Sequence, residues 1–406
     1  MKVVVATDCF KECISAAEAA KAIGAGVLDA CRDASIDLCP MADGGEGSVA
    51  AMVAATGGGV LTADSFDPLG APIRAHFGLL GSPAGAGLPG EVGLSGAIQG
   101  FNGQGAALPA ARELTAVIEM AAASGLSLVP PERRDPLRTT TFGTGKLILA
   151  ALNAGARRII IGIGGSATVD GGCGCAQALG VQFLDSSGKP CAAGLAGGVL
   201  ATIADFDLAG RDPRIAESRI RVACDVTNPL VGPEGAAAAY GPQKGATTEV
   251  VEQLDRGLAH LAEVILRKTG LDVSHMPGAG AAGGLGAGLV AFAAAALESG
   301  FDIIADAVAL RRRLVGADLC ITGEGKLDSQ TVAGKTAGGV ARLAREAGVA
   351  VICIPGQAAG DAPTDLFVSV RPLVGGEVTL RMAMQQPRTL LRQRAAEALS
   401  EFLRRC

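Results

Sequence analysis

Short apolar runs alternate with longer segments of helical periodicity near the start of the chain. The run VVVA at 3–6 predicts a buried β-strand, and Ser15 followed by Glu18 forms a capping box that predicts a helix to about residue 31. A second strand at 36–41 and a helix at 48–56 continue the pattern. Strands that alternate with helices in this way are typical of parallel sheets covered by helices on both faces. The pattern therefore predicts an α/β fold.

The C-terminal part repeats this alternation. Its expected elements are a helix at 285–298, a strand at 318–323, a helix at 336–348, strands at 350–355 and 366–370, and a helix at 388–404. Strands are also expected within 157–165 and 220–226, with longer and less regular connections. Residues 281–297 are apolar but short and rich in glycine, which favours a buried helix over a membrane span. Residues 81–107 lack a sustained apolar period and predict a flexible, dispensable loop or a weak hairpin.

Composition narrows the class of protein. A chain of 406 residues favours two domains, and 49% hydrophobic content with no Trp and one Tyr requires a core of aliphatic side chains. The net charge of −5 and the absence of a basic tract argue against a nucleic-acid surface. The N-terminal apolar run is too short for a signal peptide, and eleven scattered cysteines fit reduced thiols in a cytoplasmic protein.

Several glycine-rich turns follow predicted strands, where α/β proteins bind their ligands. Backbone N–H groups at such turns can hold phosphate. Glycine also serves ordinary turns, but several loops of this kind, three of them with a carboxylate, favour an anion site. The turns lie at 42–47, 141–146, 162–172, 277–288 and 322–335.

Two nucleotide-binding fingerprints nearly fit. Gly162-x-Gly164-x-x-Ala167 follows a strand, and Asp185 stands where a ribose-binding acid of a dinucleotide site would be expected. Asp170 and the two glycines after it interrupt the helix that such a site requires, so the dinucleotide interpretation is an alternative only. The segment 329–336 resembles a P-loop but has Ser in place of its first Gly.

Lysine is used sparingly, with nine Lys against twenty-six Arg. Several lysines nevertheless fall in or beside the glycine-rich loops, where a compact cation suits phosphate. They are Lys11, Lys146, Lys244, Lys326 and Lys335.

Taken in order, the loops resemble the bacterial glycerate kinase family, of the glycerate 2-kinase type. The segments that carry the resemblance are MKVVVATDCFKECISAAEAA, PMADGGEG, IEMAAASGLSLVPPERRDPLRTTTFGTG, IIIGIGGSATVDGG, RVACDVTNPLVGPEGAA, YGPQKGA, PGAGAAGGLGAG and ITGEGKLDSQT. They span nearly the whole chain. The departures are local: residues 81–107 resemble an insertion, Cys9 and Cys13 replace Ser, and the stretch after Val370 is atypical.

The resemblance implies transfer of the ATP γ-phosphate to D-glycerate, with Mg²⁺, to give 2-phosphoglycerate. It also implies a discontinuous Rossmann-like domain, here residues 1–70 and 285–406, with a second α/β domain inserted at 71–284 and the cleft between them. The crossings are expected near 66–72 and 277–284, both rich in Pro and Gly.

Phosphoryl transfer needs positioning, charge neutralisation and a base near the attacking hydroxyl. We expect phosphate or ATP contacts from the loops around the Gly-Gly-Ser stretch, namely from Gly164, Gly165, Ser166, Thr168, Gly283 and Gly284. Asp170 is expected to be a Mg²⁺ ligand or the base, with capping of the next helix as its structural alternative.

The remaining candidates are carboxylates and cations in the other loops. Lys11, Asp43 and Asp328 are expected to be catalytic, and Glu324 a metal ligand. Arg138, Lys244, Asp225, Asn228 and Glu46 are expected to bind substrate. None of the three histidines lies in a glycine-rich loop, so histidine is not expected to be the base.

Two other functions remain open at this stage. One is an NAD(P)-dependent oxidoreductase acting on a small hydroxy acid, and the other is a sugar-acid sensor that has lost catalysis. In each case the expected partners are small molecules, not nucleic acid or membrane, and the chain is expected to be a monomer or homodimer.

Overall fold

The structure, a computed structural model, describes residues 1–10, 12–42, 44–81, 114–329, 331 and 335–405. Its strands are β1 Lys2–Val5, β2 Ser35–Leu38, β3 Gly59–Phe66, β4 Pro72–Leu79, β5 Leu114–Glu119, β6 Ala156–Gly162, β7 Gln182–Asp185, β8 Ile203–Asp207, β9 Arg219–Ala223, β10 Ala296–Glu298, β11 Leu319–Thr322, β12 Lys326–Leu327, β13 Ala350–Cys353, β14 Gln357–Ala358 and β15 Ser369–Val370.

Its α-helices are α1 Ala16–Ala30, α2 Ser48–Thr56, α3 Ala121–Ser124, α4 Phe142–Asn153, α5 Cys173–Ala178, α6 Ala236–Tyr240, α7 Thr248–Thr269, α8 Ala281–Ala293, α9 Gly300–Ala307, α10 Leu310–Leu314, α11 Thr336–Glu346, α12 Leu380–Gln385 and α13 Pro387–Arg405. Short 3₁₀ turns occupy Leu126–Leu128, Pro131–Arg133, Gly197–Thr202, Pro213–Ile215, Pro242–Lys244 and Thr364–Leu366.

The first sheet is built from the two ends of the chain. Its order is β15-β13-β11-β1-β2, and all four pairings are parallel. The chain goes from β1 to β2 on one side, whereas β11, β13 and β15 extend the sheet on the other side. The strand order therefore reverses between β1 and β11, and the crevice at their carboxyl ends is where open α/β sheets bind ligands.

The second sheet is built from the middle of the chain, in the order β10-β9-β6-β5-β4-β3. The pairings β3–β4 and β4–β5 are antiparallel, while β5, β6, β9 and β10 run parallel. The carboxyl ends of these four parallel strands consequently lie at one edge of the sheet. The expected α/β fold with parallel sheets is confirmed.

Both faces of the first sheet are covered by helices. Val3 and Val5 of β1 pack with side chains of α1 and α13, whereas Val4 packs on the opposite face with α9 and α11. This alternation follows from the two-residue period of a strand. Helices α1 and α13 approach closely at Gly26, where a Cβ would lie 2.0 Å from the carbonyl oxygen of Arg392.

Local signals located several elements well. Ser15 accepts a hydrogen bond from the Glu18 amide, as the capping box predicts, and α2 has the expected bounds. The helix expected at 285–298 is wrong at its end, because Ala294 is left-handed with φ 52° and the helix stops before it. Ala296–Glu298 is instead a strand that pairs with β9.

The strand order shows where the chain passes between the two sheets. Residues 67–71 form the turn of the β3–β4 hairpin, where the Asp67 carboxylate accepts hydrogen bonds from the Leu69 and Ala71 amides. Because β3 and β10 both belong to the second sheet, the chain passes to that sheet before β3 and returns after β10. The Pro and Gly residues at 66–72 and 277–284 mark a hairpin and the start of α8.

Two further expectations concern apolar and glycine-rich segments. Nearly all of Ala281–Ala293 is buried, as predicted for that segment. Among the helices of the described ranges, none has both the length and the apolar character to cross a membrane. The flexible loop expected at 81–107 lies, from residue 82 onward, outside the described residues.

Candidate active site

One loop joins the carboxyl edges of the two sheets; we call its described residues, 42 and 44–47, the Gly44 loop. At its start the Met41 amide donates to the carbonyl of Thr7, just after β1, at 2.9 Å. Gly44 lies against the ends of β6 and β9. A Cβ on Gly162 would be 2.4 Å from the Gly44 carbonyl oxygen, and a Cβ on Gly44 would be 2.7 Å from the Cβ of Ala223. Three residues span about 11 Å at most, so the two edges lie close together at this loop.

On the first edge, polar groups gather at the point where the strand order reverses. We call Asp8, Glu324, Asp328 and Lys335 the switch-point cluster. Asp8 follows β1 and accepts hydrogen bonds from the Cys9 amide and, at 2.6 Å, from the Thr336 hydroxyl. Sequence reasoning missed Asp8, although its place directly after an apolar strand was a usable signal.

Glu324 is the member of this cluster best suited to exchange a proton. It follows β11, is only 7% exposed, and accepts a 2.8 Å hydrogen bond from the Thr331 hydroxyl. Burial raises the pKa of Glu324 to about 7; the Thr331 hydrogen bond and Lys335 oppose this rise, whereas Asp8 and Asp328 add to it. A carboxyl group with such a pKa can accept a proton at neutral pH.

Asp328 lies between two cations. Its carboxylate is 3.3 Å from the Lys335 ammonium and 3.6 Å from that of Lys326. Within the described ranges, no group of three or more His, Cys, Asp or Glu side chains is arranged to hold a metal ion. The predicted ligands Glu324 and Asp170 are thus not gathered into one metal cage there.

On the second edge, Gly164, Gly165 and Ser166 form a turn just after β6, which we call the Gly-Gly-Ser turn. Gly164 and Gly165 are exposed, and Gly165 has φ 72°, a conformation that glycine adopts at little cost. The turn is held from one side by the Leu126 amide, which donates to the Gly165 carbonyl at 2.8 Å. A Cβ on Gly164 would lie 3.4 Å from Gly45, so the turn borders the Gly44 loop.

Lys244 supports this turn from inside the protein. Its ammonium donates to the Ser166 hydroxyl and to the Thr168 carbonyl, both at 2.7 Å, and the residue is 1% exposed. Burial lowers the pKa of Lys244 to about 7, opposed by the negative charge of Asp170. The predicted direct contact with substrate is therefore not supported, because the side chain is enclosed by protein.

Asp170 is also enclosed. Its carboxylate accepts hydrogen bonds from the Thr141 amide and hydroxyl, both at 2.7 Å, and from the amides of Gly172 and Gly174. Burial raises its pKa, and these hydrogen bonds oppose the rise. The arrangement supports the structural alternative, in which Asp170 caps α5 and fixes Thr141 at the start of α4.

Gly283 and Gly284 serve close packing. A Cβ on Gly283 would lie 1.9 Å from the Thr168 carbonyl oxygen, and one on Gly284 would lie 2.8 Å from the Cα of Gly171. Both glycines and Thr168 are buried, so the predicted phosphate contacts of these three residues are not supported. The two loops press together instead, and glycine is required for their approach.

The other predicted residues lie in several separate loops. Asp225, exposed after β9, accepts a 2.8 Å hydrogen bond from the Gly300 amide. Asn228 accepts from the Tyr240 hydroxyl and donates to the Glu234 carbonyl. Glu46 and Arg138 are exposed, and Lys11 and Asp43 lie outside the described residues.

Asp185 does not have the place that a dinucleotide site requires. It ends β7, which pairs with β8 in a separate antiparallel ribbon, and its carboxylate accepts hydrogen bonds from Ser187 and Lys189 of the next turn. Asp185 is half-buried and engaged in its own turn, in a ribbon separate from the sheet of β6, so the NAD(P) alternative is not favoured.

Comparison with known proteins agrees with this geometry. The model of the glycerate kinase family matches residues 3–403. The chain is 47% identical to glycerate 2-kinase of Escherichia coli K12 over 89% of this chain and 86% of that protein. It is 44% identical to glycerate kinase of Halalkalibacterium halodurans over 97% and 96%.

A solved structure shows the same fold. A crystal structure from Salmonella typhimurium LT2, provisionally named glycerate kinase 2, has a TM-score of 0.83 and 43% identity, and the match covers 100% of this chain and 98% of that one. A parallel sheet with a titratable carboxylate at its switch point fits a kinase. The chain belongs to the glycerate kinase family and is an enzyme of this type.

Proposed function

We propose that this enzyme transfers the γ-phosphoryl group of ATP to D-glycerate and forms 2-phosphoglycerate. Its similarity to a protein named glycerate 2-kinase supports the acceptor and the product. The observation that carries the proposal is the pairing of Glu324, whose pKa is about 7, with the exposed Gly-Gly-Ser turn on the other side of the Gly44 loop. One side offers a proton acceptor and the other offers backbone amides for an anion.

In the proposed reaction, the C2 hydroxyl oxygen of glycerate attacks the γ-phosphorus. The bond between that phosphorus and the β–γ bridging oxygen breaks, and ADP leaves with the electron pair. The hydroxyl proton passes to the carboxylate of Glu324, which later releases it to water. Asp8 and Asp328 favour protonation of Glu324 because their negative charges raise its pKa.

Different cations of the site bind the different negatively charged groups of the substrates. Lys335, half-buried beside Asp328, suits the transferred phosphoryl group, and the exposed Arg138 suits the glycerate carboxylate. Lys244 acts indirectly, by holding Ser166 and Thr168 in the turn. Asp170 acts in the same indirect way through Thr141.

Mg²⁺ fits this site as the companion of the nucleotide. Magnesium is usually held by one or two carboxylates together with substrate phosphates, and not by an all-protein cage. Asp328 could supply such a carboxylate, which agrees with the lack of a larger ligand group among the described residues. When bound, the ion would neutralise charge on the phosphates.

The experiment is an ATP-coupled assay with D-glycerate, L-glycerate and related hydroxy acids, with phosphorus NMR of the product. We expect Mg²⁺-dependent formation of 2-phosphoglycerate. A 3-phosphoglycerate signal would contradict the choice of hydroxyl, and no turnover of any acceptor would contradict the kinase proposal. Mg·ATP should raise the melting temperature and NADH should not, because only a bound ligand stabilises the folded state.

The cellular location belongs to the same proposal. The described cysteines are free thiols, several of them buried. Reduced cysteines are the rule in the cytoplasm, and we propose that compartment for the enzyme.

A further inference from the structure

Glu119 is a buried carboxylate that takes no part in the proposed reaction steps. It is the last residue of β5 in the second sheet and is 8% exposed. Its Oε1 accepts a 2.8 Å hydrogen bond from the amide of Val49, the second residue of α2. Helix α2 directly follows the Gly44 loop, so this contact ties the end of that loop to the second sheet.

The N-terminus of α2 needs such a partner. Its N-cap is Gly47, which has φ 91° and no side chain with which to cap the helix. The first amides of a helix lack partners within the helix, and Ser, Thr, Asp or Asn at the N-cap usually supplies one. Here the acceptor comes from a residue seventy positions away in the chain. The Gly47 amide also lies near enough to Glu119 to lower the pKa of its carboxyl group.

The Gly44 loop is therefore fixed at both ends by different sheets. The Met41 amide holds its start to the Thr7 carbonyl, at the edge that carries Asp8 and Glu324. Glu119 holds its end, and between them Gly44 and Gly45 lie against the strand ends that carry the Gly-Gly-Ser turn. We propose that Glu119 is a positioning residue, which sets the Gly44 loop between the two halves of the active site and thereby aligns them for phosphoryl transfer.

The charges around Glu119 agree with a structural acceptor. Burial raises its pKa, and the Val49 and Gly47 amides and His76 on β4 oppose that rise, whereas Glu46 adds to it. The proposed role depends on the reach of the acceptor oxygen and not on its negative charge. That distinction separates it from a catalytic base or a metal ligand, for which charge is essential.

Two conservative variants test the distinction. Glu119→Gln keeps an acceptor oxygen at the same reach without the charge, while Glu119→Asp keeps the charge and withdraws the oxygen by one methylene. We expect Glu119→Gln to retain kcat within about threefold, and Glu119→Asp to lose kcat by about tenfold or more, since a displacement near 1 Å can cost about 10²-fold. The opposite order, with Asp active and Gln inactive, would overturn the proposal.

Hydrogen exchange supplies a readout that does not depend on turnover. Glu119→Asp should speed exchange of the amides at 47–50, and Glu119→Gln should not. The control is Thr247→Ala, which removes the N-cap of α7 and a hydrogen bond from the Val250 amide. It should lower stability while kcat stays within twofold. An equal kcat loss in Thr247→Ala, or unchanged exchange in Glu119→Asp, would refute a positioning role.

This inference rests on the proposed phosphoryl transfer, and the two can fail separately. If the unmodified enzyme does not phosphorylate glycerate, the proposed function fails, but the exchange comparison still tests whether Glu119 fixes the loop. If the unmodified enzyme is active and Glu119→Asp keeps full kcat, only the role of Glu119 fails.

Discussion

The ammonium of Lys244 lies 2.7 Å from the hydroxyl oxygen of Ser166, and the lysine side chain is shielded from solvent. The contact links the segment before α7 to the turn after β6, which are distant in sequence. Because the amine also donates to the Thr168 carbonyl, it holds both Ser166 and Thr168 in place. The cation that the sequence predicted to bind substrate thus lies behind the Gly-Gly-Ser turn and supports it.

The titration of Lys244 should be visible in protein stability. Its pKa is about 7 in the folded chain and 10.5 as an unperturbed amine, so between these values the unfolded state binds a proton that the folded state lacks. The contribution of Lys244 to the free energy of unfolding therefore rises with pH across this window, by at most about 1.4 kcal/mol per unit. Lys244→Met lacks this contribution.

Urea unfolding of both proteins at pH 7.5, 8.5 and 9.5 measures this effect. The stability of the unmodified protein relative to Lys244→Met should rise through the series, since other titrating groups cancel in the difference. A constant difference would mean that the folded-state pKa of Lys244 is not lowered.

The pH dependence of activity should report on Glu324. As the proposed proton acceptor it must be ionised, so kcat/KM should rise with pH through about 7. Thr331→Val removes the hydroxyl that lowers this pKa, and the rise should therefore move to higher pH. Glu324→Gln should lower kcat by about 10²-fold or more.

Thr322→Val is the matched control for Thr331→Val. The Thr322 hydroxyl is buried two residues before Glu324 and has no hydrogen-bond partner among the described residues. Its loss should leave the pH profile in place. A profile that moves equally in both variants would point to a packing effect and away from the Thr331 hydrogen bond.

The local parts of the fold could be predicted from sequence because their causes are local. The Ser15 capping box and the apolar period of 48–56 act within one or two helical turns, and both helices have the expected starts. The strand at 296–298 could not be predicted in this way. It exists because β9 offers it a partner in space, and a three-residue pattern does not show that.

The sequence predicted which residue types form the candidate site better than it predicted their roles. Glycine and carboxylate after strands drew attention to Gly164, Glu324 and Asp170, but burial decides what each can do. Asp170 and Lys244 are enclosed by segments far away in the sequence, which no local pattern reveals. Glu119 ends an apolar strand and has no glycine or other polar residue beside it, so the local pattern did not mark it as a candidate functional residue.

Replacement of Asp170 should separate a structural role from a catalytic one. Asp170→Asn turns an amide group toward donors of Thr141, Gly172 or Gly174, which leaves at least one of them without an acceptor. A buried unsatisfied group costs about 1–3 kcal/mol, and the free energy of unfolding should fall by that amount. We expect the kcat of the folded fraction to fall less than tenfold.

Asp185→Asn provides the comparison, since that carboxylate is exposed and serves only its own turn. It should change stability by less than about 0.5 kcal/mol. If Asp170→Asn instead keeps its stability but loses kcat by about 10²-fold, Asp170 is the base, or a metal ligand if high Mg²⁺ restores activity.

The loop after β6 packs closely on α8 at Gly283. Alanine substitution there should therefore have a larger effect than at Gly316, a glycine with nearly the same φ. Gly283 and Gly316 have φ of 70° and 67°, so alanine meets a similar backbone strain at both positions. That strain costs about 1–2 kcal/mol. At Gly316 a Cβ meets nothing within 4 Å, whereas at Gly283 it would lie 1.9 Å from the Thr168 carbonyl oxygen, which also accepts a hydrogen bond from Lys244.

Gly316→Ala should therefore lower the free energy of unfolding by the strain alone and keep full activity. Gly283→Ala must also push the Thr168 loop away, so it should lose at least about 2 kcal/mol more, as overpacked cores do, and lower kcat/KM through the displaced Gly-Gly-Ser turn. Chemical denaturation and steady-state kinetics of the two variants measure both effects, and equal losses in the two proteins would show that the contact of Gly283 with Thr168 is of no consequence.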